Sequence, residues 1–186
     1  IKRDALHPVL AKKTVQEAVG HLVHEKANDQ DALLRIWKSL PKEDRKISGI
    51  VAVIAKGFID GGKPEVAREL IEESLDSDWD PTLLNVYSDC ALEGTGAIQM
   101  IQALEKWQLK HPMEPAIHLA LGKVCLTQQL WGKAKSSLES VTRDSRIKSS
   151  MKALAHMHLA RLHESLQEPE KAAEQYRLAA HLYSGQ

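Results

Sequence analysis

Three histidines stand close together in "HMHLARLHES", at His156, His158 and His163, and imidazoles at short spacing are candidates to bind a metal ion or haem. On a helix His156 and His163 share a face, while His158 points about 200° away from His156. Three ligands from one helix at that spacing do not converge, so these side chains are expected to be structural, packed against a neighbouring helix. His21 and His24 fall on one face, which allows a two-ligand or haem-edge contact; a solvated helix face accounts for them equally. Cys90 and Cys125 form no C-x-x-C pair and have no histidine at ligand spacing. They are expected to be buried thiols rather than a zinc site, with a disulfide left open. Neither is followed by Pro, so the short Cys-Pro haem-responsive motif is absent.

The remaining chemical motifs are fragments. "GTG" at 94–96 and "GGKP" at 61–64 lack the rest of a nucleotide-binding loop and read as turn or helix-entry glycines. No spacing of Ser, His and Asp suggests a nucleophile elbow. The expectation is a protein with no catalytic residues, no metal site and no obligatory cofactor. Twenty-five basic residues balance 25 acidic ones, which disfavours generic nucleic-acid binding, since that draws on a basic surplus. No window approaches 18 consecutive apolar residues, so no membrane span is expected within these 186 residues. The chain opens on "IKRDALHP" without Met, and is expected to be a piece of a longer protein whose targeting segment has been removed.

What, then, positions these residues? The composition favours Ala, Leu, Glu, Lys and Gln, with one Phe and three Tyr, which is helix-forming material. Small residues recur twelve positions apart: Gly20 and Ala32, Ala55 and Ala67, Gly122 and Ala134, Ala160 and Ala172. A small residue in each of two antiparallel helices lets them cross closely near their turn. Bulky residues follow the second member by four, at Ile36, Ile71, Leu138 and Tyr176. Ala97 marks a weaker unit, so the second positions fall at 32, 67, 97, 134 and 172, scattered about the roughly 34-residue period of the tetratricopeptide (TPR) repeat. Between 82 and 111 the pattern degenerates, with Asn85 at the small position.

Punctuation supports the same register. Pro64, Pro81, Pro115 and Pro169 stand where helices should begin, with Asp80 as a cap before Pro81. The predicted helices are 5–25, 29–40, 44–60, 64–77, 82–91, 95–110, 115–128, 131–142, 149–166 and 169–183. No strand is needed. The expected fold is all-α: a single domain over 1–186, a right-handed α-solenoid of about five TPR-like hairpins near 5–40, 44–77, 82–110, 115–142 and 149–183.

One row of residues then suggests a binding function. The position just after each first small residue lines the inner wall of a TPR groove, and here it holds His21, Lys56, Val86, Lys123 and Arg161. Three firm cations and a titratable one suit an acidic or carboxylate-ended peptide, or porphyrin propionates. Peptide is favoured, because a repeat groove is long and shallow whereas haem needs concave apolar walls.

Several passages resemble one family. They are "LLRIWKSLPKEDRK" with "VAREL" and "DSDWDPTLL", then "LEKWQLKHPMEPAIHLALGKVCLTQQLWGKAKSSLE", and "HLARLHESLQEPEKAAEQYR". Together they resemble the HemY-type membrane-anchored TPR proteins of proteobacteria, associated with haem biosynthesis, over roughly residues 5 to 182. The Trp37-to-Pro41 closing and the "QLWGKA" turn are the more specific parts. The resemblance implies the C-terminal half of such a protein, a soluble repeat domain behind two N-terminal membrane helices, on the cytoplasmic face of the inner membrane. It implies a non-catalytic scaffold near a late step of protoheme synthesis, with haem-pathway enzymes as partners and self-association open. A haem- or porphyrin-carrying domain is the alternative. The unrelated flavin-dependent oxidase that shares the name is excluded, because the chain has no dinucleotide fingerprint.

Overall fold

The computed structural model describes residues 8–25 and 29–184, with side chains from residue 13 onward. Residues 5–7 of the predicted first helix lie outside the described residues. Every regular element described is helical: α1 (Pro8–Glu25), α2 (Gln30–Ser39), a 3-10 turn (Asp44–Lys46), α3 (Ser48–Asp60), α4 (Pro64–Ser77), α5 (Leu83–Asp89), α6 (Gly94–Lys110), α7 (Pro115–Thr127), α8 (Trp131–Arg143), α9 (Ser149–Ser165) and α10 (Pro169–Ser184). Pro64, Pro115 and Pro169 each occupy the first helical position, where the missing N–H costs nothing. Asp29 caps α2 by accepting from the Ala32 N–H at 2.9 Å. Asp80 takes its bonds from the Thr82 N–H and hydroxyl, but α5 begins at Leu83 rather than at Pro81, so Asp80 stands three residues ahead of it and does not cap it. The stretch predicted as one helix over 44–60 is split, because Ile47 is extended (φ −78°, ψ 110°) and α3 starts afresh at Ser48.

The residues fall into two compact units, one ending at Cys90 and the other starting at Ala91. In the first, α1 packs chiefly against α3, α3 and α4 form a hairpin, and α5 rests on both. Its core is Leu33, Ile50, Ile54, Phe58 and Ile71, all essentially inaccessible to water; full burial of each such side chain contributes about 1.5–3 kcal/mol. Beside them the Tyr87 hydroxyl donates to Glu72 at 2.6 Å, and Arg68 donates to the other Glu72 oxygen at 2.8 Å. In the second unit α7 and α8, then α9 and α10, form hairpins, with α6 against α7 and α8 against α9. Leu138, Val141, Ala155 and Leu159 make a core there, overlaid by Leu119, Ile147 and Met151. The predicted 82–110 hairpin spans this division, with α5 in the first unit and α6 in the second.

Three hairpin turns share one geometry. Each carries a left-handed residue, Gly62 (φ 75°), Gln129 (φ 58°) or Gln167 (φ 59°). Just beyond it, the N–H of Lys63, Leu130 or Glu168 reaches back to the carbonyl of Phe58, Cys125 or His163 at 2.7–2.9 Å. That six-to-one bond satisfies carbonyls which the helix end leaves orphaned. Each left-handed residue lies seven after the first small residue of its pair and five before the second. The twelve-residue spacing is thus the length of a helix end, one left-handed residue and a helix start. The matching position in the first hairpin, residue 27, lies outside the described residues.

Candidate functional site

The small residues of the repeat sit at the packed helix faces. Ala55, Ala67, Ala134 and Ala160 are fully buried, and Ala32 and Ala172 nearly so. A Cβ added at Gly122 would come within 2.6 Å of the Leu138 side chain and 3.5 Å of the Ala134 carbonyl, across the α7/α8 hairpin. Gly20 is half-buried, and its nearest neighbour in that direction is Val53 of α3, at 4.0 Å. In the first unit the glycine packed against branched core side chains is Gly57, where a Cβ would come within 2.6 Å of Val23 and 3.4 Å of Leu33, while one at Gly49 would meet the flexible end of Gln16. Of the bulky residues four beyond the second positions, Ile71 and Leu138 are buried, Ile36 is half-buried and Tyr176 is exposed.

The proposed binding row occupies successive first helices. His21 on α1 and Lys56 on α3 are exposed, and Val86 on α5 is half-buried. Lys56 lies 3.3 Å from Asp60 one turn on, which offsets part of its charge. Lys123 on α7 is half-buried and Arg161 on α9 is exposed; both belong to the second unit, where α7 touches α9. Arg161 lies beside Tyr176, whose hydroxyl donates to Glu164 at 3.0 Å. What these residues can do is bind: charge-assisted hydrogen bonds from Lys and Arg to carboxylates are the chemistry on offer.

The histidines of α9 spread around the helix. His156 Nδ1 is 2.7 Å from Gln175 of α10, and the buried His163 holds Glu168 at 2.6 Å. Lys171 also bonds Glu168, and together they hold its carboxyl below the usual range. This arrangement ties the α9/α10 turn rather than opening a ligand site. Among the described residues, no three His, Cys, Asp or Glu side chains are grouped so as to hold a metal ion. Cys90 and Cys125 are buried free thiols, and burial pushes Cys90 up to about 12. Such thiols are poor nucleophiles at neutral pH. No helix among the described residues is long and apolar enough to cross a membrane.

One cationic cluster escapes the repeat register altogether. Lys38, Lys42, Arg45 and Lys46 line a recess in the first unit. Their signal was present as the basic run in "KSLPKEDRK", but one cation at a helix end and three on the turn after it specify no common surface until the turn is folded.

No protein-family model and no curated protein matches the chain. Among solved structures it is similar to MamA AMB-1 in a P212121 crystal form, with a TM-score of 0.52 at 15% identity, over 92% of this chain and 98% of that one. It is also similar to MamA MSR-1 in a C2 form, with a TM-score of 0.50 at 13% identity, over 94% and 96% of the two chains. At these identities the likeness shows the fold alone, an all-α fold of TPR-like helical hairpins.

Proposed function

We propose that the chain is a non-catalytic TPR-type interaction module whose second unit binds an acidic or carboxylate-ended segment of a partner protein. The observation that carries it is positional. Lys123 and Arg161 each follow a buried small residue, Gly122 and Ala160, on first helices that touch within one unit. One step along a helix turns the side chain by about 100°, so a cation adjoins the packed face at the same register in consecutive hairpins. Lys56 and His21 hold that register on α3 and α1.

The finer reading comes from the HemY-type resemblance of the quoted passages. On it, the module belongs to an inner-membrane protein and gathers enzymes of a late step in protoheme synthesis. The test is recovery of partners by the immobilised chain, comparing wild type with the variant carrying Lys56→Ala, Lys123→Ala and Arg161→Ala. Each exposed charge contributes under about 1 kcal/mol, so the triple variant should bind a recovered partner roughly ten- to a hundredfold more weakly, with wild-type binding weakening as salt rises. Unchanged recovery by the folded triple variant would sink the site. Haem-pathway enzymes among the partners support the finer reading, and their absence removes it. A one-to-one haemin complex with a sharp Soret shift, lost in His21→Ala, would replace the scaffold with a tetrapyrrole carrier.

A further inference from the structure

In the first unit the chain leaves α2, passes Pro41 and makes the 3-10 turn before α3 begins. With the later half of α4 this stretch walls a recess of about 510 Å³, within the range of about 300–1,000 Å³ that ligand sites occupy. Its charge is one-sided: Lys38, Lys42, Arg45 and Lys46 line it against the single acid Glu73. Trp37 supplies an aromatic wall.

Arg45 is oriented before any ligand arrives. Its Nε donates to the Leu40 carbonyl at 2.9 Å and Nη2 to the Lys38 carbonyl at 2.7 Å, with the guanidinium 5.8 Å from the Trp37 ring centre. Both acceptors are neutral, so the position is set while the charge is kept, and three of the five N–H donors remain. Lys46 shares its charge with Glu43 at 3.7 Å. Lys38 and Lys42 are exposed and have no ion-pair partner among the described residues. An anchored guanidinium, two unpaired lysines and an aromatic wall form a concave surface with a positive rim. A flat anionic membrane would meet only the rim of such a surface, and a peptide side chain can enter it.

We propose that this recess is a docking site for an acidic peptide segment, in which an apolar side chain lies against Trp37 and flanking carboxylates meet Arg45, Lys38 and Lys42. The complementarity is of charge and of apolar surface together. The site lies wholly in the first unit and stands independently of Lys123 and Arg161.

The test is fluorescence polarisation of the fluorescein-labelled peptide EDLFEDE on the full chain, with QNLFQNQ as the neutral control. The acidic peptide should bind and the neutral one should bind at least about tenfold more weakly. Reversing charge with Lys38→Glu and Lys42→Glu, at exposed positions that leave the fold intact by circular dichroism, should weaken the acidic peptide by about tenfold or more. Arg45→Lys, which keeps the charge and loses the fork, should weaken it as well. Lys123→Ala with Arg161→Ala is the control for the other site. Binding lost there and kept in the Lys38/Lys42 variant overturns this proposal and supports the second-unit site; the reverse pattern supports this proposal alone. Equal affinity for both peptides overturns it. So does binding of phosphatidylserine vesicles, in place of the peptide, that the same charge reversals abolish.

Discussion

The two units use one hairpin plan, and they differ in where a glycine meets branched core side chains. In the second unit the close approach lies on the repeat register, with Gly122 against Leu138 and Ala134. In the first, the glycine against branched core side chains lies off register at Gly57, where α3 meets Val23 of α1 and Leu33 of α2, while the on-register Gly20 has room around it. The second unit is sealed by apolar side chains at its Leu138 core. Its buried polar contact, His163 with Glu168, lies at a turn, whereas the first unit places Tyr87 with Glu72 and Arg68 between α4 and α5 and inserts a 3-10 turn before α3. A repeat pattern therefore specifies that two helices cross, and the neighbouring helices decide which small residue carries the crossing.

Enlarging the on-register contact of the second unit should have the largest effect. Ala134→Leu forces three carbons into a fully buried crossing and should cost about 3 kcal/mol, with Gly122→Ala nearer 1–2 kcal/mol. Urea midpoints of the full chain measure both. A midpoint for Ala134→Leu equal to wild type would remove the shared hairpin plan.

Next is the polar group between α4 and α5 of the first unit. Tyr87→Phe takes a donor from the Glu72 carboxylate and should cost about 1.5–3 kcal/mol. It also carries a pH signature. Burial, reinforced by Glu72, pushes the Tyr87 hydroxyl well above its ordinary range, and burial pushes the Cys90 thiol up to about 12. A group raised by folding stabilises fully below its unfolded pKa and loses that contribution as pH rises, so stability should fall from about pH 9 upward. Tyr87→Phe should flatten the part of that decline above about pH 10. A decline of undiminished slope in the variant would assign the alkaline loss to groups other than Tyr87.

The turns sharpen the comparison on a smaller scale. Gln129 and Gln167 hold left-handed backbone that Gly62 holds without strain. Gly62→Gln should cost about 1 kcal/mol, and Gln129→Gly or Gln167→Gly should gain about 0.5–1 kcal/mol. Thermal melts of the three variants decide it, and a loss in either Gln→Gly variant would mean that the glutamine side chain stabilises the turn by more than its backbone strain costs.

Smallest is the effect that most directly sets the two glycines apart. Gly20→Ala meets nothing closer than Val53 at 4.0 Å and relieves a flexible residue inside α1, so it should stabilise by about 0.5–1 kcal/mol where Gly122→Ala destabilises. The same sign for both would return Gly20 to a tight crossing.

Much of this molecule follows from local rules. Helix starts at Pro64, Pro115 and Pro169 were legible because proline's missing N–H and its fixed φ act on the residue itself. The twelve-residue spacing was legible because its cause, a helix end joined to a helix start through one left-handed residue, is contained within a dozen positions. That Gln129 and Gln167 would be that residue was not, since glutamine has no intrinsic preference for it and takes it only when the hairpin closes. For the candidate sites, the row through Lys123 and Arg161 could be read from register, as could the cations of "KSLPKEDRK" as a run. Their gathering around one recess with Trp37 could not, nor could the Tyr87–Glu72 bond fifteen residues apart. Periodicity determines which residues share a helix face. Which faces meet depends on the volumes that fill the space between helices, and those come from the tertiary structure.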